Sequence, residues 1–169
     1  KERGTSSVLL AKGLARCRPI GHGGESRPVS LRAMRRLYVD TGAFVARELA
    51  ADQYHAAASQ GWVEIERGNY QLFSSEHVFD ESATLIARCS NYAWAADWGG
   101  DVLEIGVDWL RAEQAEWKQA LKLMRKFADQ GVSFTDCISA VLMKRAGIRM
   151  VFGFDRHFEA MGFRVWPNI

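Results

Sequence analysis

Cysteine is scarce in this chain of 169 residues, and the three that occur, Cys17, Cys89 and Cys137, are widely spaced with no CxxC pair among them. An odd number at such spacing builds neither a disulfide framework nor a thiolate zinc site, so all three are read as reduced thiols. Long hydrophobic runs are missing as well. No stretch approaches the roughly 20 apolar residues that a membrane helix needs, and no charged start followed by an apolar core marks a secretory signal. The expected location is the cytoplasm, with no membrane partner. Internal repeats are absent too. What remains is an ordinary globular composition, 48% apolar and 25% charged, with length enough for one domain around a real core.

The formal net charge of +2 is unevenly spread. Residues 1–33 hold seven Lys or Arg against Glu2 and Glu25, a net of +5, which leaves −3 for the rest. That first segment is rich in Gly, Ser and Arg and has little hydrophobic period, so it is expected to be a disordered tail or a non-native extension. The first methionine is Met34, and the functional protein is expected to be the domain 34–169. An Arg-rich, acid-poor targeting peptide is the alternative for the tail.

From Arg36 onward short apolar runs alternate with longer segments of helical period, the pattern of a parallel sheet covered by helices. RLYV is the first strand, followed by two helices, TGAFVARELA and QYHAAASQGW, broken near Asp52. YQLF is a short strand. A single helix is predicted over 74–98, ended by Gly99 and Gly100, then a strand VLEIGV over 102–107. A long amphipathic helix is predicted from Trp109 to Gln130, closed by Gly131. FTDCISAVLMKRAG is apolar around most of its circumference and so a buried helix. RMVFGF is a strand, DRHFEAMG a short helix and FRVW a final edge strand.

Four acids stand out against this layout. Asp40 and Asp155 each follow an apolar strand and precede a helix, which places them at the carboxyl edge of a parallel sheet, where ligands bind. Asp is also a favoured helix N-cap, so both readings stand at these positions. At roughly 100° per residue, Val78, Phe79, Ser82, Leu85 and Ile86 form one stripe; Glu81 borders it and Asp80 points away from it into solvent. Asp136 lies in the first turn of the most buried helix. SFTD from Ser133 fits a capping signature, yet a charge at the head of an apolar helix needs a partner. Were these carboxylates to meet at one sheet edge, each close pair would repel by about 4 kcal/mol at an effective dielectric near 20. A divalent cation would resolve that. Oxygen ligands without a Cys or His set point to Mg²⁺ or Mn²⁺, ions that activate water and stabilise a phosphodiester in transition.

The stretches LYVDTGAF, VFDESATLI, SFTDCISAVLM and VFGFDRHFEAMGF resemble, in this order and over nearly all of 36–166, the four acidic motifs of PIN-domain ribonucleases. The last two are similar to the VapC-type toxins of type II toxin–antitoxin pairs. The resemblance implies a three-layer α/β/α fold with a central, mainly parallel sheet. It also implies Mg²⁺- or Mn²⁺-dependent cleavage of RNA, a homodimer and a cognate antitoxin. The family's acidic quartet falls on Asp40, Glu81, Asp136 and Asp155, and Thr41 matches a hydroxyl residue beside the first acid. In this reading Asp40, Asp136 and Asp155 hold metal, with Glu81 completing the shell or orienting the attacking water. Arg47, Arg156 and His157 are candidates for gripping phosphate. His55 and His77 are read as structural, and Trp94, Trp98, Trp109 and Trp117 as core or interface packing.

Two other classes lack their signatures. An aspartyl-phosphate phosphatase wants a second acid two residues after the first, where Gly42 stands here, and a receiver domain wants adjacent acids near the first strand. The stronger rival is a PIN-like RNA-binding or regulatory module without catalytic activity, against which an intact quartet argues.

Overall fold

The computed structural model describes residues 34–168; the expectations about residues 1–33, Cys17 among them, lie outside the described residues. Strand β1 (Arg35–Val39) begins with two exposed arginines and ends in Leu37, Tyr38 and Val39, all completely buried. A run apolar on both faces is what a central strand of a helix-covered parallel sheet requires. Helices α1 (Thr41–Glu48) and α2 (His55–Arg67) lead to β2 (Tyr70–Ser75), and α3 (Glu76–Cys89) and α4 (Tyr92–Glu104) lead to β3 (Asp108–Leu110). Then α5 (Gln114–Lys126) and α6 (Phe134–Arg145) return the chain to β4 (Met150–Phe152), and α7 (His157–Ala160) to β5 (Arg164–Trp166).

The five strands are all parallel in the order β3-β2-β1-β4-β5. With helices flanking the sheet, this is the expected three-layer α/β/α arrangement. From β1 the chain steps first toward β2 and later, from the far edge, back to β4 on the other side. The strand order therefore reverses between β1 and β4, and a crevice opens there at the carboxyl ends. Asp40 stands at that point, its N–H donating to Phe152 O across the gap at 2.9 Å.

Three expectations about elements are corrected. The single helix over 74–98 is two helices: Asn91 breaks the run and caps α4 by accepting the Trp94 N–H at 2.8 Å. Gly99 and Gly100 lie inside α4, and a Cβ on Gly99 would come 3.4 Å from the Phe79 ring, so this glycine lets α4 press onto α3. The strand predicted over 102–107 is displaced to Asp108–Leu110, because Val102 belongs to the buried face of α4. The long helix starts at Gln114 instead of Trp109, where Glu113 and Glu116 form a capping box, and ends at Lys126. Two residues of the expected helix are thereby given to the sheet.

The core is aromatic under α1. Trp62 is buried, donates its indole N–H to Ala43 O at 3.1 Å, and contacts the Phe44 and Phe152 rings at 5.5 and 5.4 Å. Trp98 is buried against Phe44 and Phe79, Trp94 and Trp109 pack on the same core, and Trp117 is 44% exposed on α5. As expected, α6 is the most buried helix, with every residue from Asp136 to Met143 inside. Among the described residues no helix is long and apolar enough to cross a membrane.

Candidate active site

Beneath the crevice, Tyr38 anchors three elements. Its phenol oxygen lies 2.9 Å from Ser75 Oγ at the end of β2 and 2.8 Å from Ser139 Oγ on α6. Burial pushes the phenol pKa far up, so it stays neutral and can donate one bond and accept the other. Ser74 adds a bond to Val39 O at 2.8 Å. The carboxyl ends of β1 and β2 and the body of α6 are thus fixed to one another by buried hydroxyls.

On this floor stands Asp40. It is the N-cap of α1, but its Oδ2 accepts the Gly42 N–H at a long 3.4 Å. Its Oδ1 is buried with no hydrogen-bond partner. Burial first, and the charge of Asp136 second, raise its pKa from the ordinary 3.8 to about 8. A capping role uses one oxygen and leaves the other unexplained. Gly153 sits against this carboxylate: a Cβ there would fall 3.0 Å from Asp40 Cβ and 3.3 Å from Oδ2. The residue after β4 must be small for Asp40 to stay where it is.

The other acids face the same space from three further segments. Thr41 Oγ1 donates to Glu81 Oε2 at 2.6 Å, tying the start of α1 to α3. Asp136 completes the capping box of α6 and lines the cleft: Ser133 donates to its Oδ2 through Oγ at 2.7 Å and N–H at 3.1 Å, while Asp136 N–H donates back to Ser133 Oγ. These bonds converge on Oδ2. Burial raises the Asp136 pKa, the Ser133 bond opposes the rise, and Asp155 and Glu81 add to it. Asp155, past the end of β4, accepts the His157 N–H at 2.8 Å on Oδ1, and His157 Nδ1 lies 3.0 and 3.2 Å from its two oxygens. Asp136, Asp155 and His157 can each present one ligand atom within 4.8 Å of the others.

All four acids, with Thr41 and Arg156, line one open cleft of about 530 Å³. Its wall also contains Ser133, Tyr54 and Phe154, which sequence reasoning left without a role in the site; for Ser133 the capping signature was the available signal. Arg47 is not in that wall and lines a small pocket with Phe44, Trp62 and Trp98. His55, at the start of α2, has Nδ1 2.8 Å from Ala46 O on α1, and His77 stands edge-on to Phe134. Neither lines the cleft.

The sequence profile of the PIN domain family matches residues 37–164. The chain is 28% identical over 129 residues to the 23S rRNA-specific endonuclease VapC20 of Mycobacterium tuberculosis, covering 75% of this chain and 95% of that protein. The crystal structure of VapC20, described as a sarcin-ricin loop cleaving toxin, superposes with a TM-score of 0.68 at 26% identity, over 75% of this chain and 95% of that one. A Rickettsia felis VapBC2 structure, bound to a promoter DNA fragment, shares the fold at 9% identity and a TM-score of 0.54, over 77% and 96% of the two chains. With acids from four separate segments meeting at the strand-order reversal and a family profile matching from β1 to β5, this chain belongs to the PIN domain family, whose fold is a nuclease fold.

Proposed function

We propose that this protein is a metal-dependent endoribonuclease, the toxin of a toxin–antitoxin pair, which hydrolyses RNA phosphodiester bonds in the cleft of Asp40, Glu81, Asp136 and Asp155. The observation that carries the reading is the buried, unpartnered Oδ1 of Asp40 in a residue that lines one cleft with Glu81, Asp136 and Asp155. A carboxylate oxygen withdrawn from water with no donor is costly, and a hard cation is the partner that fits an oxygen-rich set. Asp40, Asp136 and Asp155 would hold Mg²⁺ or Mn²⁺, with His157 close enough to join through Nδ1 or to keep Asp155 oriented. Bound there, the ion supplies charge stabilisation for the phosphoryl oxygens and a more acidic water.

The chain's own residues prepare the rest. Glu81 has Oε2 held by Thr41, so Oε1 would be the oxygen that accepts a proton from attacking water. Ser133 fixes Asp136 by two bonds to one oxygen, leaving the other for a ligand. Arg156, in the cleft wall, supplies a positive charge for a phosphate. Arg47 would reach RNA only outside this cleft. A cognate antitoxin and a homodimer complete the proposed setting, by analogy with the VapBC neighbour and the toxin group that the motifs resemble.

Because the similar M. tuberculosis protein is named for 23S rRNA, ribosomal RNA stem-loops are the first substrates to try. The test incubates RNA with wild type and Asp155→Asn, with Mg²⁺, Mn²⁺ or a chelator. Discrete cuts by wild type with metal alone are expected. Intact RNA with either ion across several structured and single-stranded RNAs would overturn the reading and leave a non-catalytic RNA-binding module.

A further inference from the structure

The cleft wall contains two aromatic rings, and they are stacked on each other. Tyr54 and Phe154 lie with centroids 4.5 Å apart and planes inclined by 12°. Phe154 directly precedes Asp155, and a Cβ added to Gly42, two residues after Asp40, would lie 3.6 Å from its ring. The pair therefore stands beside the acids at the junction of β4 and α1. Resting on the nuclease reading above, we propose that Tyr54, backed by Phe154, is a stacking subsite for one unpaired nucleobase of the RNA substrate next to the scissile phosphate.

The placement of Tyr54 favours this over plain packing. The large aromatic side chains Trp62, Phe152 and Trp98 are buried in the core, and Phe154 packs against that core from its edge. Tyr54 stands outside the core cluster, half-buried, on the segment between α1 and α2. Three hydrogen bonds of Asp52 hold the backbone of that segment. Asp52 Oδ1 accepts the Tyr54 N–H at 2.7 Å, Asp52 O accepts the His55 N–H at 3.0 Å, and Asp52 N–H donates to Leu49 O at 2.9 Å. A ring held by such a turn loses little freedom when a ligand stacks on it.

The chemistry also calls for such a contact. A cleft lined by four carboxylates repels the phosphates it must receive, and stacking on a π face, worth roughly 1–3 kcal/mol per base, is indifferent to that charge. It is indifferent to base identity as well, but not to pairing. A base inside a helix already has both faces covered, so the subsite admits a nucleotide from a loop, bulge or single strand.

The test uses RNA hairpins carrying the fluorescent base 2-aminopurine at successive loop positions. With chelator present, so that the RNA stays intact, wild type is expected to quench one position strongly. Tyr54→Phe and Tyr54→Trp should keep the quench. Tyr54→Leu, similar in apolar bulk but without a π face, should lose it while melting within a few degrees of wild type. In the cleavage assay the same leucine variant should raise KM about tenfold, with a smaller change in kcat. Quenching and KM retained in Tyr54→Leu would overturn the subsite and leave the nuclease reading standing. Wild type that quenches a loop base yet cuts no RNA would overturn the nuclease reading and keep the subsite.

Discussion

Asp40 is the residue on which the fold and the chemistry disagree. As a cap it stabilises α1, but as a buried carboxyl held up at about 8 it carries a proton in the metal-free fold at neutral pH. In the unfolded chain the same group ionises at its ordinary 3.8. Between those values the folded state holds a proton that the unfolded state lacks, so metal-free stability falls as pH rises from about 4 to about 8 and levels off above. Asp40→Asn caps α1 nearly as well and has no charge to bury. Its metal-free melting temperature at pH 8 should exceed that of wild type by roughly 5 °C, the two should converge near pH 4, and cleavage should vanish. Metal should raise the melting temperature of wild type, and more at pH 8 than at pH 6 because binding must release the proton. Melting of both proteins at several pH values, with chelator and with millimolar Mg²⁺, checks this. An equal response to metal in both would show that Asp40 takes no part in the site.

Among the elements, those that are buried by both faces were legible in the sequence and those defined by a partner were not. β1 and α6 announce themselves through unbroken apolar runs, and the acids that follow or begin such elements are found with them. β3 is hard to place because its three residues, Asp108 exposed and Trp109 and Leu110 half-buried, show no strand alternation at the sheet edge and look like the start of the next helix. The α3–α4 break was missed because the glycines 99 and 100 looked like the stop signal, whereas Asn91 is the cap and Gly99 is a contact point. Tyr54 and Gly153 carried no local pattern at all: each matters only through a neighbour distant in the chain. The hydroxyl cluster of Tyr38, Ser75 and Ser139 is of the same kind, since three elements must meet before it exists. Tyr38→Phe should leave both serines without the phenol and cost about 1–2 kcal/mol in urea unfolding with an unchanged m value. Cleavage well below the melting point should stay within a few-fold of wild type. An unaltered midpoint would mean that the serines bond to each other instead.

For the whole molecule, the described fold and cleft are complete from β1 onward, and every acid of the site lies at or beyond residue 40. A chain beginning at Met34 should therefore melt and cut RNA as the full chain does; failure to fold would assign residues 1–33 a structural task. The order of the strands has one more result. β1 takes one of its two strand partners, β4, from the far end of the domain, and the last acid comes after that strand. During synthesis the first three acids emerge onto a sheet that still lacks β4, with no Gly153 packed against Asp40 and no Asp155 opposite Asp136. Until β4 and Asp155 are made, the nascent chain therefore holds no finished cleft. Whatever chemistry the cleft performs can begin only once nearly all of the described domain has been made.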